Sequence, residues 1–144
     1  MFQFTSERKA MTIVVRDVRE TNPNKFLVFS KGADSSISKM LADPEGEDAK
    51  TVFEDVLSYA GKGLRTLVFA MKEIELNAEE INWKNSPEVS VENIECGLTV
   101  LGATGVEDSL QEDVKMCVDD FRQAGIAVWM LTGDMGLTAK QIGI

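Results

Sequence analysis

From residue 10 to 17 the chain alternates, with Met11, Ile13 and Val15 on one face and Thr12, Val14 and Arg16 on the other, the period-two spacing of a strand. Thr21, Asn22, Pro23 and Asn24 read as a turn, and residues 26–31 form a second β-rich run. Residues 10–31 are therefore expected to form an antiparallel hairpin with a connection of four to six residues. Lys31-Gly32-Ala33-Asp34 breaks the pattern, and Asp34 or Ser35 is placed to cap a helix over 36–41, a natural anion site after a strand. Residues 43–48, with Pro44, Gly46 and four acidic residues, suit an exposed loop, and a helical pattern covers 52–57. Gly61 and Gly63 stop that helix and lead into a third β-rich stretch over 64–71. Residues 78–85 suit a short polar helix holding Trp83, and 86–95 a weakly patterned linker.

The last third reads differently. Residues 98–106 form an apolar strand candidate and 110–124 a helix, in which Val114, Cys117, Val118 and Phe121 fall at i, i+3, i+4 and i+7 before Gly125 ends it. The run Ile126-Ala127-Val128-Trp129-Met130-Leu131 suits a parallel strand buried on both faces, completing a β-α-β order.

Length and composition change this picture little. With 144 residues, 44% hydrophobic and 27% charged, the chain has the profile of a globular domain, long enough to bury roughly 68–70% of its unfolded surface without a staple. Cys96 and Cys117 lie in apolar patterns, and the chain has no histidine to complete a zinc site, so a reduced, cytosolic setting is expected. The longest apolar run, 126–131, falls far short of the roughly 20 residues of a membrane helix. A formal charge of −9 argues against nucleic acid as partner and makes the local cations Arg8-Lys9, Lys31 and Lys62 with Arg65 candidates for a small polyphosphate, although solvated surface charge explains each alone.

Thr132-Gly133-Asp134 follows directly on the 126–131 run, where the carboxyl ends of strands gather ligands in open α/β sheets. A threonine hydroxyl and glycine amides there can bind a transferring phosphoryl group, and an aspartate can bind magnesium or its waters. The same three residues equally suit a plain turn, with Asp134 capping a helix over 138–142. Neither a Walker A pattern nor Gly-x-Gly-x-x-Gly occurs. Lys31 follows a strand next to Gly32, which would let a ligand approach the backbone, and Arg65 in Gly63-Leu64-Arg65-Thr66-Leu67 repeats that arrangement.

Taken in order, Phe4-Thr5-Ser6-Glu7-Arg8-Lys9-Ala10-Met11, Lys31-Gly32-Ala33-Asp34, Gly63-Leu64-Arg65-Thr66-Leu67, Gly102-Ala103-Thr104-Gly105-Val106-Glu107-Asp108-Ser109-Leu110-Gln111 and Leu131-Thr132-Gly133-Asp134 resemble the P4 P-type ATPases, the phospholipid flippases. The resemblance implies an α/β chain of the α+β kind: an antiparallel sheet with flanking helices over 1–107, part of a nucleotide-binding domain, then a partial haloacid-dehalogenase-like β-α-β segment over 108–144 that begins the phosphorylation domain. It implies ATP and Mg2+ as ligands. Phe4 would stack on adenine, Ser6 line the base pocket, Lys31 run along the base towards the phosphates, Arg65 neutralise phosphate charge and Asp108 sit near the ribose. Thr132, Gly133 and Asp134 would meet the γ-phosphate and magnesium. Phe4 without the resemblance would be taken for a core strand residue.

The same resemblance implies a longer integral membrane protein with this portion on the cytosolic face, touching phospholipid, membrane and an accessory subunit only through parts outside this sequence. The family's phosphorylated Asp-Lys-Thr-Gly-Thr segment and its Gly-Asp-Gly-x-Asn-Asp segment do not occur here. The sequence is thus expected to begin part-way into the nucleotide-binding domain. Ala10, Met135 and Leu137 depart from the arginine, lysine and glutamate usual in flippases. Two rival expectations remain: a degenerate nucleotide-binding or interaction module without transport activity, and a soluble phosphatase, for which residues 1–100 offer no apolar strand ending in Asp-x-Asp.

Overall fold

The computed structural model of the chain describes residues 1–77, 90–107, 111–133 and 136–142. Its centre is a four-stranded antiparallel sheet formed by β1 (Ala10–Val15), β2 (Lys25–Gly32), β3 (Arg65–Glu75) and β4 (Thr99–Val106), in the order β1-β2-β3-β4. With its helices this is an α+β fold. The hairpin expected over residues 10–31 forms, with Thr12 opposite Ser30 and Val14 opposite Val28.

Strand alternation decides which face becomes the core. Ala10 and Thr12 of β1, Val28 and Ser30 of β2, and Val68 and Ala70 of β3 are buried on one face. The two hydroxyls placed there by register satisfy each other, Thr12 Oγ1 and Ser30 Oγ lying 2.7 Å apart. Helices α1 (Asp34–Ile37) and α2 (Glu47–Gly61) cover this face, separated by a 3-10 turn (Ser38–Met40). Ala49, Val52, Phe53 and Val56 recur on one side of α2 and join Ile37, Leu41, Ile94 and Leu98 in a single cluster with the strands, and Ala60 is buried further along the helix. Each fully buried Ile, Leu or Val there contributes about 1.5–3 kcal/mol of transfer free energy.

Helix boundaries differ from those expected, most tellingly at α1 and α2. α2 begins five residues early because Gly46 serves as N-cap and the acidic Glu47 and Asp48 sit in the first turn, favoured at the positive end of the helix dipole. α1 is capped by Ala33 without a side-chain hydrogen bond, so Asp34 lies inside the helix and puts a carboxylate where an anion site was expected. The expected linker contains α3 (Val91–Ile94), capped by Ser90 Oγ, which accepts from Asn93 N at 3.3 Å. The helix expected over 78–85, with Trp83, lies outside the described residues.

α4 (Val114–Gln123) forms where the apolar spacing predicts it, but the β-α-β segment does not. β4 pairs antiparallel with β3, and residues 126–131 adopt no regular structure. Trp129 is 84% exposed and Leu131 95%. A strand needs a neighbour to satisfy its backbone donors and acceptors, and among the described residues none lies alongside this run. α5 (Gly136–Ile142) returns to the folded body, where the buried Thr138 donates from Oγ1 to the Leu64 carbonyl at 3.2 Å.

Candidate functional site

Among the described residues, the helices bury one face of the sheet and leave the other open. On the other, the odd-numbered residues of β1, β2 and β3 meet in register, Lys31 lying between Met11 on one neighbour and Phe69 on the other, and Phe29 between Ile13 and Met71. Met11, Ile13, Phe29, Lys31, Phe69 and Leu101 are the side chains that give a shallow cavity of about 210 Å3 its character. Leu101 reaches it through a bulge: β3 shifts partner from Gly102 to Val100 between Phe69 and Ala70, leaving Leu101 as the extra residue. Gly102 has φ 152°, a conformation that a side chain would disfavour.

An aromatic and aliphatic floor with one ammonium at its edge can seat a flat apolar group whose tail is anionic. The volume is below the roughly 300–1,000 Å3 of sites that enclose drug-sized ligands, so it suits a single ring system with charged groups lying outside. These residue types fit a purine base followed by phosphates. They leave specificity to groups around the rim.

The rim is built at one end of the sheet, where β1 starts, β2 ends, β3 starts and β4 ends. Arg65 is the first residue of β3, exposed, opposite Val106, and about 13 Å along the strand from Phe69. Residues 2–9 fold back at the same end: Phe2 pairs with Thr12, donating N–H to the Thr12 carbonyl at 2.8 Å and accepting in return at 3.0 Å. The Lys9 carbonyl accepts from Ala33 N at 3.0 Å, joining this loop to the end of β2. Phe4, 60% exposed, and Ser6, also exposed, lie within that loop without lining the cavity. Phe4 is thus not the core strand residue that its type alone suggests.

Gly32 has a different role from the one expected. A Cβ there would stand 2.5 Å from the Lys9 carbonyl oxygen and 2.8 Å from Ala10 Cα, so the glycine permits close approach of β1 to β2 rather than of a ligand. Arg8 also departs from the solvated or phosphate-facing cation that its sequence suggests. Its guanidinium turns inward, donating to the Gln3 carbonyl at 2.8 Å and pairing with the Glu95 carboxylate, with the Phe2 ring centroid 6.0 Å away.

Residues 1–113 match the family described as P-type ATPase, cytoplasmic domain N. The chain belongs to that family. Among P-type ATPases it is 39% identical over 158 residues to Phospholipid-transporting ATPase 10 of Arabidopsis thaliana, covering 99% of this chain and 13% of that protein. It is 37% identical over 157 residues to Probable phospholipid-transporting ATPase 12 of the same plant, with the same coverage, and 37% over 163 residues to human Phospholipid-transporting ATPase VD, covering 96% of this chain and 11% of that protein. The chain therefore spans about an eighth of the length of these relatives.

Within this P-type ATPase domain, the structure brings Lys31 into the cavity and sets the loop of Phe4 and Ser6, together with Arg65, around the same end of the sheet. Thr132 and Gly133 lie exposed in the irregular segment before α5 and do not line the cavity. Asp108 and Asp134 lie outside the described residues. Phe29, Phe69 and Leu101 were not singled out from sequence. The parity of Phe29 with Lys31 was available there, but the pairing that brings β3 alongside was not. No group of three or more potential metal-binding His, Cys, Asp or Glu side chains occurs among the described residues, and none of these helices is long and apolar enough to cross a membrane.

Proposed function

We propose that this chain is the nucleotide-binding part of a P-type ATPase that couples ATP hydrolysis to phospholipid movement across a membrane, and that ATP binds on the open face of the sheet. The observation that carries the proposal is that face: an aromatic and aliphatic floor with Lys31 at its edge, in a domain whose relatives are named as phospholipid-transporting ATPases. Adenine lies over the floor. Phe4 stacks on its exposed side, Ser6 borders it, Lys31 runs towards the phosphates, Arg65 offsets phosphate charge and Asp108 meets the ribose.

Residues 1–107 act as the nucleotide-binding domain and 108–144 as the start of the phosphorylation domain. This division is supported by the end of β4 at Val106 and by a family match that stops at residue 113. Thr132, Gly133 and Asp134 serve the γ-phosphate and its magnesium, which arrives with the nucleotide. When bound, the metal supplies charge neutralisation for phosphoryl transfer. This chain's own contribution is to bind and orient ATP, since no Asp-Lys-Thr-Gly-Thr segment occurs in its sequence. It works on the cytosolic face of the membrane protein, with lipid and any accessory subunit meeting the longer protein elsewhere.

Calorimetric titration with ATP, with and without magnesium, tests the proposal. Saturable binding is expected. Phe4→Ala should weaken it by about 1–3 kcal/mol, the range of base–aromatic stacking, and Lys31→Ala by about 1.5–3 kcal/mol, the range of a hydrogen bond to a charged group. A folded chain that does not bind ATP would instead be a degenerate interaction module, the reading favoured by Met135 and Leu137.

A further inference from the structure

Arg8 lies near the β1 end of the loop that carries Phe4 and Ser6, yet its side chain is largely turned away from solvent. It donates to the Gln3 carbonyl at 2.8 Å, pairs with Glu95 87 residues away and stands against Phe2. Its side chain is 25% exposed and that of Glu95 only 5%, so the pair is largely removed from water. Arg8 Nε is buried and has no hydrogen-bond partner among the described residues.

The partner's position explains what this pairing does. Glu95 directly follows the fully buried Ile94, and Leu98 beyond it is buried against Leu41. Leu98 N donates to the Met40 carbonyl at 2.9 Å, while Lys72 Nζ donates to the Asn93 and Cys96 carbonyls at 2.9 and 2.6 Å. Glu95 is therefore fixed from several sides. The loop over 2–9 is held at one end by the Phe2–Thr12 bridge and the packing of Phe2 against the core, at the other by the Lys9–Ala33 hydrogen bond, and between them by local turn bonds from Arg8 N to Thr5 Oγ1 at 3.2 Å and Lys9 N to the Thr5 carbonyl at 2.8 Å. Arg8 is the long-range side-chain tie from this loop to the core among the described hydrogen bonds.

We infer that Arg8 and Glu95 are positioning residues for nucleotide binding: their ion pair fixes the loop whose Phe4 and Ser6 border the base, and Arg8 does not contact phosphate. This inference rests on the nucleotide-binding proposal above. A guanidinium already shared between a carbonyl and a carboxylate is preorganised for holding the loop, and a loop fixed before binding has less conformational freedom left to lose when the base arrives.

Titration of the chain with ATP and, separately, with adenosine tests this, together with amide hydrogen exchange and thermal melts. The variants are Arg8→Gln, Glu95→Gln and the exchange Arg8→Glu with Glu95→Arg. Either single substitution should weaken adenosine and ATP by the same factor, about tenfold, and speed exchange across residues 2–9 while β2 and β3 stay protected. The double exchange should recover part of both affinity and protection. Loss of ATP affinity with adenosine affinity intact would overturn the inference, because Arg8 would then be a phosphate ligand. Unchanged affinity and exchange in both single variants would do so too. If the unsubstituted chain binds neither ligand, the nucleotide proposal itself fails, and unchanged exchange in the variants would show separately that the tie is absent. If Arg8→Gln does not fold, Glu95→Gln, which keeps the shape of the site, carries the test alone.

Discussion

The sheet with its two covering helices and the segment from α4 to residue 131 are both rich in apolar residues at regular spacing, yet only the first is packed. Ile37 is fully buried between helix and sheet, whereas Trp129 and Leu131 stand in solvent. The difference is one of partners. Strands β1 to β4 satisfy one another's backbone and present one apolar face to α1 and α2, while residues 126–131 have no strand beside them among the described residues. Hydrophobic pattern encodes the tendency to be buried, and burial itself depends on a second surface of matching pattern.

The sharpest way to break this comparison is to remove the same bulk from both regions. Ile37→Ala should cost about 2–5 kcal/mol through lost transfer energy and a cavity, whereas Ile126→Ala should stay within about 0.5 kcal/mol, both read from urea unfolding. Equal effects would mean that the second region is packed after all. Gly32→Ala comes next. The added Cβ would meet the Lys9 carbonyl at 2.5 Å, and because that neighbour is backbone the expected cost is about 1–3 kcal/mol.

Much of the fold was legible because strand alternation is a local signal: residues 10–17 alone give the period, and Met11 and Ile13 were already separated from Thr12. Register across several strands is not local, so the meeting of Phe29, Lys31, Phe69 and Leu101 could not be assembled from any one run. The inward turn of Arg8 was less legible still, since its partner lies 87 residues away and a surface cation accounts equally well for the sequence. Residues 126–131 are the opposite case, a strong local signal with no partner strand among the described residues.

Two weaker contacts sharpen the boundary between the regions. Thr138→Val removes the hydrogen bond from α5 to the Leu64 carbonyl, and a loss of about 0.5–1.5 kcal/mol is expected in the same urea assay. A neutral result would place α5 with the unpacked segment. The smallest effect concerns Asp17 at the β1–β2 connection. Hydrogen bonds from the Arg19 side chain and then its backbone N–H hold this carboxyl below its ordinary range. A carboxylate pKa lowered by folding contributes stability above the unfolded value and loses it as pH falls through the folded one. The small advantage over Asp17→Asn should therefore be present at neutral pH and fade below about pH 4.

The central claim is that nucleotide sits on the open face of the sheet, and methyl NMR of the methionines addresses it directly. Met11 and Met71 lie on that face, Met40 ends the 3-10 turn and packs against the core, and Met116 and Met130 belong to the unpacked region. On addition of ATP, the account predicts that the Met11 and Met71 methyl signals shift in a saturable way while those of Met116 and Met130 stay in place; shifts confined to Met116 and Met130, or to Met40, would contradict it.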